Sequence, residues 1–267
     1  MPEFPCSGPV QVEIAVPAGR VSVTAEERET ALVEVKLFSE KERDRAAAEA
    51  TEVSFDGNNL TIEAPQNSGW LSFRSGSVRV EVRVPVDSSA RIKTASADVA
   101  CRGRYGQLRV NSASGDISMD DANGDVKVHT ASGEIAVGNV GGQLNANTAS
   151  GDIKAGKVGG AASLKTASGD IKVDAVAGDV QVKSASGNLE VGAVSRGDVS
   201  VRSVSGRVSL GVVPGTGVWM DLSTLSGRIE SALESVESAP ERRDLTIQVH
   251  TVSGDIDITR SREPANV

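Results

Sequence analysis

The sequence predicts an all-β protein, a single-chain parallel β-solenoid of β-helix or β-roll type. Its coils are about 18 residues long, each made of two short strands, with one short helix near the N-terminus. Three observations carry this reading. The phrase Thr/Ser-Ala-Ser-Gly-Asp recurs at 112–116, 148–152 and 166–170, with Glu at 130–134 and Asn at 184–188. A second glycine series, Gly106, Gly124, Gly142, Gly160 and Gly178, keeps the same step of 18 at an offset of nine. After most of these glycines, apolar residues take the third and fifth places, as in Gly169-Asp170-Ile171-Lys172-Val173. That period of two marks a half-buried strand.

The turns choose between hairpins, coils of 18 and coils of 27. Thr/Ser-Ala-Ser-Gly alternates with a different turn, such as Lys157-Val158-Gly159-Gly160, so like turns stack only in an 18-residue coil. The core is then built of columns, Ile117, Ile135, Ile153, Ile171 and Leu189 in one, Val126, Leu144, Val180 and Val199 in another. Ala162 interrupts the second. A third apolar position, Ala149, Val158, Ala167, Val176 and Ala185, is also expected to face inward. The motif returns at Ser203, Thr224 and Thr251 after steps of 19, 21 and 27, and the extra residues read as loops on one face.

In chain order, Val10–Val16, Arg20–Thr24 and Ala31–Leu37 alternate as strands, with Pro17-Ala18-Gly19 as a turn. Ser39 with Glu42 has the spacing of a capping box and opens the Ala-rich helix, about 39–50. Strands follow at Thr51–Phe55, Leu60–Glu63 and Ser77–Val84, with Asp56-Gly57-Asn58 turning between the first two. Residues 66–76, with Trp70 and Phe73, read as a polar loop or edge flap. The organisation is thus 1–90, β-rich coils with a helical cap, and 91–267, the repeat solenoid, irregular after 206. Open solenoid ends invite joining, so caps are expected, with Trp219 and Leu245–Val249 at the far end.

Aromatic residues make up only 3% of the chain, which suits a core of Val, Ile, Leu and Ala columns and argues against stacking surfaces for bases or sugars. The net charge of −8 argues against nucleic acid and anionic membranes as partners. No apolar run reaches membrane-spanning length. The start, Met1-Pro2-Glu3-Phe4-Pro5-Cys6, has no secretory pattern. Cytoplasmic location is the expectation, with a surface location only if a leader is missing. Cys6 and Cys101 make no disulfide framework or metal spacing, and Cys101 falls on an inward place.

The most uniform column is Ser96, Ser114, Ser132, Ser150, Ser168, Ser186, Ser205, Ser226 and Ser253. A nucleophile needs one activated serine beside a base, and the only histidines are His129 and His250. The column therefore reads as a structural ladder of hydroxyls at a tight corner. Asp98, Asp116, Glu134, Asp152 and Asp170 form an acidic column, a candidate calcium site of the β-roll kind. The β-roll motif itself is absent, and the local reading has each acid accepting turn N–H bonds, with Lys154 and Lys172 neutralising Asp152 and Asp170. Paired Thr/Ser hydroxyls also raise an ice-binding face, which the acids interrupt. Arg102, Arg104 and Arg109 make a basic spot that reads as solvated surface. No catalytic residue and no cofactor are expected.

The Thr/Ser-Ala-Ser-Gly-Asp-Ile-x-Val units, with Arg79-Val80-Glu81-Val82-Arg83-Val84-Pro85 before them, resemble a bacterial domain-of-unknown-function family labelled "putative adhesin", with β-strand repeats. The resemblance covers about Val10 to Thr259 and is clearest at 94–206. It implies a β-solenoid without known enzyme activity. The expected function is a non-catalytic, adhesin-like binding or scaffold protein with a protein or cell-surface partner. The alternative is a polymerising bactofilin-like scaffold that self-associates end to end or by its edges, and a calcium-binding β-roll is a minor one.

Overall fold

A computed structural model describes residues 2–65, 76–233 and 244–261. The chain forms two compact units, residues 1–134 and 135–267, and each is a stack of parallel β-coils.

The first unit holds β1 (Glu3–Pro5), β2 (Gln11–Glu26), β3 (Thr30–Leu37), α1 (Glu42–Glu49), β4 (Glu52–Asp56) and β5 (Asn59–Glu63). It continues with β6 (Val78–Pro85), β7 (Ser89–Tyr105), β8 (Leu108–Asn111), β9 (Ile117–Ala122) and β10 (Val126–His129). The long strands β2 and β7 each turn a corner and serve both sheets of a coil. At the β2 corner Gly19 has φ +120°, and a Cβ there would sit 1.9 Å from the Val78 carbonyl oxygen, so only glycine lets the coils close up. β2 pairs with β5 and β6 on one edge and β7 on the other, all parallel. β2 therefore lies inside the stack, with a later coil outside it.

Beyond that outer coil the pairing turns antiparallel, β4 on β5, and β3 on β6 with β1 on β3. Phe4 and Phe55 stack at 5.0 Å across these elements. Antiparallel strands and the helix α1 thus lie together where the sequence suggested a helical cap. Gly57, φ +60°, makes the tight β4–β5 hairpin that Asp56-Gly57-Asn58 predicted. Residues 66–75, most of the expected flap, lie outside the described residues.

The capping box does not form. α1 starts after Lys41, which makes no side-chain cap. The Ser39 hydroxyl instead donates to Asp44, whose other oxygen accepts the Ser77 N–H at 2.9 Å. Asp44 is 2% exposed. Burial raises its pKa, but the Ser39 and Ser77 hydrogen bonds and the nearby Arg43 and Lys41 charges outweigh burial and hold it below the ordinary carboxylate value. A depressed folded pKa contributes stability above the unfolded value that is lost as pH falls through the folded one. Asp44→Asn is therefore expected to weaken the tie between α1 and β6 by about 1–3 kcal/mol at neutral pH. Hydrogen exchange at the Ser77 amide should show a gap between variant and parent that closes below the ordinary carboxylate range.

The second unit is more regular. It contains β11 (Ile135–Val137), β12 (Leu144–Asn147), β13 (Ile153–Val158), β14 (Ala162–Lys165), β15 (Ile171–Val176), β16 (Val180–Ser186) and β17 (Leu189–Val194). Then come β18 (Gly197–Ser205), β19 (Val208–Val212), β20 (Val218–Ser226), β21 (Ile229–Ser231), β22 (Leu245–Ser253) and β23 (Ile256–Arg260). The expected columns appear in register, Ile135 beside Ile153, Ile171, Leu189 and then Val208. The second runs Leu144, Ala162, Val180, Val199, with Ala162 still buried at 2% exposure. Each large aliphatic residue buried this way contributes roughly 1.5–3 kcal/mol.

Chain order and stacking order part company at the end of this unit. β18 pairs with β22, and β22 with β20; likewise β19 pairs with β23 and β23 with β21. The coil at 245–260 is thus inserted beneath the coil at 218–231, and the motif step of 27 reflects this return as well as loop length. Leu245–Val249, expected as part of an end cap, is an inner layer. Val218, Met220 and Leu222 of the outermost strand are only half-buried, whereas Leu245, Ile247 and Val249 beneath them are at most 1% exposed.

The third apolar position is corrected in part. Val158 and Val176 are buried, but Ala149, Ala167 and Ala185 face solvent. The inward residue at that corner is the preceding Thr148, Thr166 or Ser184, at most 9% exposed. A buried hydroxyl is tolerated there because it donates to the carbonyl two residues on, as Thr166 does to Ser168 at 3.0 Å.

Candidate functional site

The serine column lies at one corner of the coils. Ser96 bridges to Ser114 in the first unit, and Ser132 donates its N–H to the Ala113 carbonyl. In the second unit the order is Ser150, Ser168, Ser186, Ser205, Ser253, Ser226. The hydroxyls that serve the corner backbone are chiefly those two residues earlier, Ser112, Thr130, Thr148, Thr166, Ser184 and Ser203. Period-two alternation counted through Leu164 to Thr166 is the signal that finds them.

The acidic column has a definite local chemistry. Asp98 accepts the Asp116 N–H at 3.4 Å, and Asp116 accepts that of Glu134 at 3.0 Å. Asp152 accepts the Asp170 N–H at 2.9 Å, and Asp170 that of Asn188 at 2.7 Å. Hydrogen bonds to an ionised acceptor are stronger than neutral ones and help offset like-charge repulsion of about 1 kcal/mol per neighbouring pair. Lys172 does not pair with Asp170 as expected; it reaches Glu190, its register neighbour, at 3.1 Å. Among the described residues no group of three or more metal-ligating side chains comes together.

Cys101 is 1% exposed, and burial first, then the Asp120 charge, pushes its thiol up to about 12. It is an inert core thiol at neutral pH. Arg102, Arg104 and Arg109 do not form one spot. Arg104 ion-pairs with Asp87 at 3.0 Å, while Arg109 lies on the other sheet, in register with Arg91 and Lys127.

Ser223 and Asp221, not singled out in the sequence, meet His250 on the outer coils. The Ser223 hydroxyl lies 2.7 Å from His250 Nδ1, and His250 Nε2 is 4.0 Å from Asp221. The residue types are those of a hydrolytic triad, but the Asp contact exceeds hydrogen-bond length. His250 and Asp221 are also nearly half exposed, on outward places of adjacent strands. An unshielded histidine in water gives little of the activation that a desolvated site supplies.

Two outward columns on the same sheet stand out. Lys165, Lys183, Arg202 and His250 follow one another in register on β14, β16, β18 and β22, about 4.8 Å apart. Among the described residues no carboxylate pairs with Lys165, Lys183 or Arg202. By contrast, Lys172 in the same unit pairs with Glu190, and Arg207 with Asp255 and Asp257. Two residues further along each strand comes the corner, where Ala185, Val204, Val252 and Leu225 lie side by side. Val204 is 52% exposed, Val252 47% and Leu225 85%. The signal for both columns was present at the motif spacing, but the swapped order of the last coils hid who neighbours whom.

Buried aliphatic columns, hydrogen-bonded corners and parallel in-register coils define a repeat-built β-solenoid. The chain belongs to the Toastrack DUF4097 family, whose model matches residues 11–259. It is similar in fold to a "putative adhesin" of Bacteroides fragilis, with TM-score 0.51, 10% identity, and coverage of 96% of this chain and 95% of that one. A "putative adhesin" from Parabacteroides distasonis has TM-score 0.42, 12% identity and the same coverage. A "putative lipid binding protein" from the same species has TM-score 0.33, 10% identity and coverage of 96% and 95%. No curated protein matches the sequence. Among the described residues no helix is long and apolar enough to cross a membrane.

Proposed function

We propose that this protein is a non-catalytic binding module, adhesin-like in that repeated outward columns present one chemistry several times over. The observation that carries the reading is the in-register stacking of exposed side chains, Lys165 on Lys183 on Arg202, which turns a sequence repeat into a repeated surface. The acids of the corner column act locally, holding adjacent coils together through their backbone N–H groups. Immobilised protein is expected to retain cell-envelope fragments, and Ser223→Ala to retain them equally. A fluorophosphonate, which labels activated serines, should leave the protein unmodified. Failure to retain any envelope material, or labelling that Ser223→Ala abolishes, would replace this reading.

The polymerising alternative draws on the half-exposed outer strand β20. A head-to-tail filament needs two matching edges, however, and the outer elements of the first unit are antiparallel strands with a helix.

A further inference from the structure

We infer that the corner formed by Val204, Val252 and Leu225 is a docking surface for an anionic phospholipid bilayer. This deepens the binding-module reading and rests on it. Two separate observations converge on this corner. One is apolar: in consecutive coils the outward corner residue grows from alanine to valine, valine and leucine, and Leu225 is 85% exposed. Side chains of this kind at a protruding turn are costly in water and suit the boundary between headgroups and acyl chains. The other is electrostatic: the column two residues back presents Lys165, Lys183 and Arg202 without a carboxylate partner among the described residues. Phosphate headgroups supply the missing counter-charge at the depth where these side chains would lie.

The chain's net charge of −8 does not forbid this contact. Charges separated by more than about 8 Å are largely screened at physiological salt. Asp179, just before β16, and Asp198 on β18 precede Ala185 and Val204 by six residues, roughly 20 Å of strand. Of the nearer acids, Asp221 lies 4.0 Å from His250, and Asp255, three residues beyond Val252, pairs with Arg207 and Arg228. A membrane meeting the corner edge-on touches the apolar ridge and the cations while Asp179 and Asp198 stay in solvent and Asp255 keeps its arginine partners. A soluble anionic polysaccharide would use the cations but leave the ridge uncovered, so the bilayer accounts for more of the surface.

The test is co-sedimentation of the full chain with vesicles of phosphatidylcholine containing one-third phosphatidylglycerol, at low and physiological salt. The parent protein should bind these vesicles, release them as salt rises, and ignore pure phosphatidylcholine. Val204→Ser/Val252→Ser/Leu225→Ser and Lys165→Glu/Lys183→Glu/Arg202→Glu should each weaken binding about tenfold or more. Every changed side chain faces solvent, and circular dichroism should confirm that both variants remain folded. Lys41→Glu/Arg45→Glu/Arg102→Glu, with the same change of charge elsewhere, should bind like the parent. Absence of vesicle binding by the parent overturns the inference. So does binding that ignores the serine variant, or that soluble polygalacturonate displaces, since a polyanion site would then be at work. Equal loss in the control triple would reduce the effect to net charge and also overturn it. Vesicle failure with envelope fragments still retained would leave the binding-module reading standing.

Discussion

Ending the chain at residue 233 is expected to unfold the outer coils of the second unit instead of shortening the stack by its last layer. In a staircase that follows chain order, β20 and β21 would rest on β18 and β19, and loss of 245–260 would remove only a terminal coil. In the structure β20 pairs with β22 alone, and β21 with β23 alone, among the described residues. The truncation deletes a middle layer. Leu245, Ile247, Val249, Ile256 and Ile258 are each at most 1% exposed. At roughly 1.5–3 kcal/mol apiece, their burial is comparable to the 5–15 kcal/mol net stability of a whole domain. Hydrogen exchange is the deciding measurement: amides of 218–231 should lose protection entirely in the truncated protein. Protection kept at the parent level would mean that β20 packs directly on β18 and that 245–260 is not a middle layer.

An inner strand paired along both edges occurs in each unit. β2 is paired along both edges near the N-terminus, and β22 and β23 are paired along both edges near the C-terminus. In each case a segment from further inside the sequence occupies the outer layer. Nearest-neighbour pairing is what stabilises a solenoid, so placing these segments inward gives them two neighbours in place of one.

The period of 18 and the Ile/Val columns were legible because burial imposes them: a residue at Ile153 must fit between Ile135 and Ile171, and all three are isoleucine. The order of the last coils was not legible for the complementary reason. Val199, Ile247 and Met220 are all acceptable neighbours for one another, so a column of interchangeable aliphatics records register but not sequence of stacking. Thr148 and Thr166 were misplaced because polarity suggested an outward face; a hydroxyl with its own local acceptor breaks that inference. The candidate surface was hidden by both effects together. Lys183 and Arg202 were visible as charges, but Val204 and Leu225 join them as a ridge only once Val252 is known to lie between.

Gly187→Ala is expected to destabilise the second unit by about 3 kcal/mol or more, the sum of a backbone term and a steric one. The residue has φ +128°, a region that side-chain-bearing residues enter only at about 1–3 kcal/mol. Its Cβ would then lie 2.1 Å from the Gly169 carbonyl oxygen and 2.6 Å from the carbonyl carbon. That obstacle is backbone held in a hydrogen-bonded corner, so no side chain is free to swing away. Relief requires the two coils to separate locally, stretching bonds such as the Asn188 N–H to Asp170 at 2.7 Å. The column continues through Gly206, Gly254 and Gly227, whose added Cβ atoms would meet the preceding carbonyl oxygen at 2.1, 2.0 and 2.2 Å. These contacts follow the swapped stacking order, Gly206 to Gly254 to Gly227, and so report on it independently of strand pairing. Gly57→Ala is the matched comparison, because its φ is +60° and nothing lies within 4 Å of the added carbon. It should lose only the backbone term, about 1–2 kcal/mol. Urea unfolding of both variants measures the difference; equal losses would show that the corner has room for a methyl group and that the coils are not held at strand spacing by their glycines.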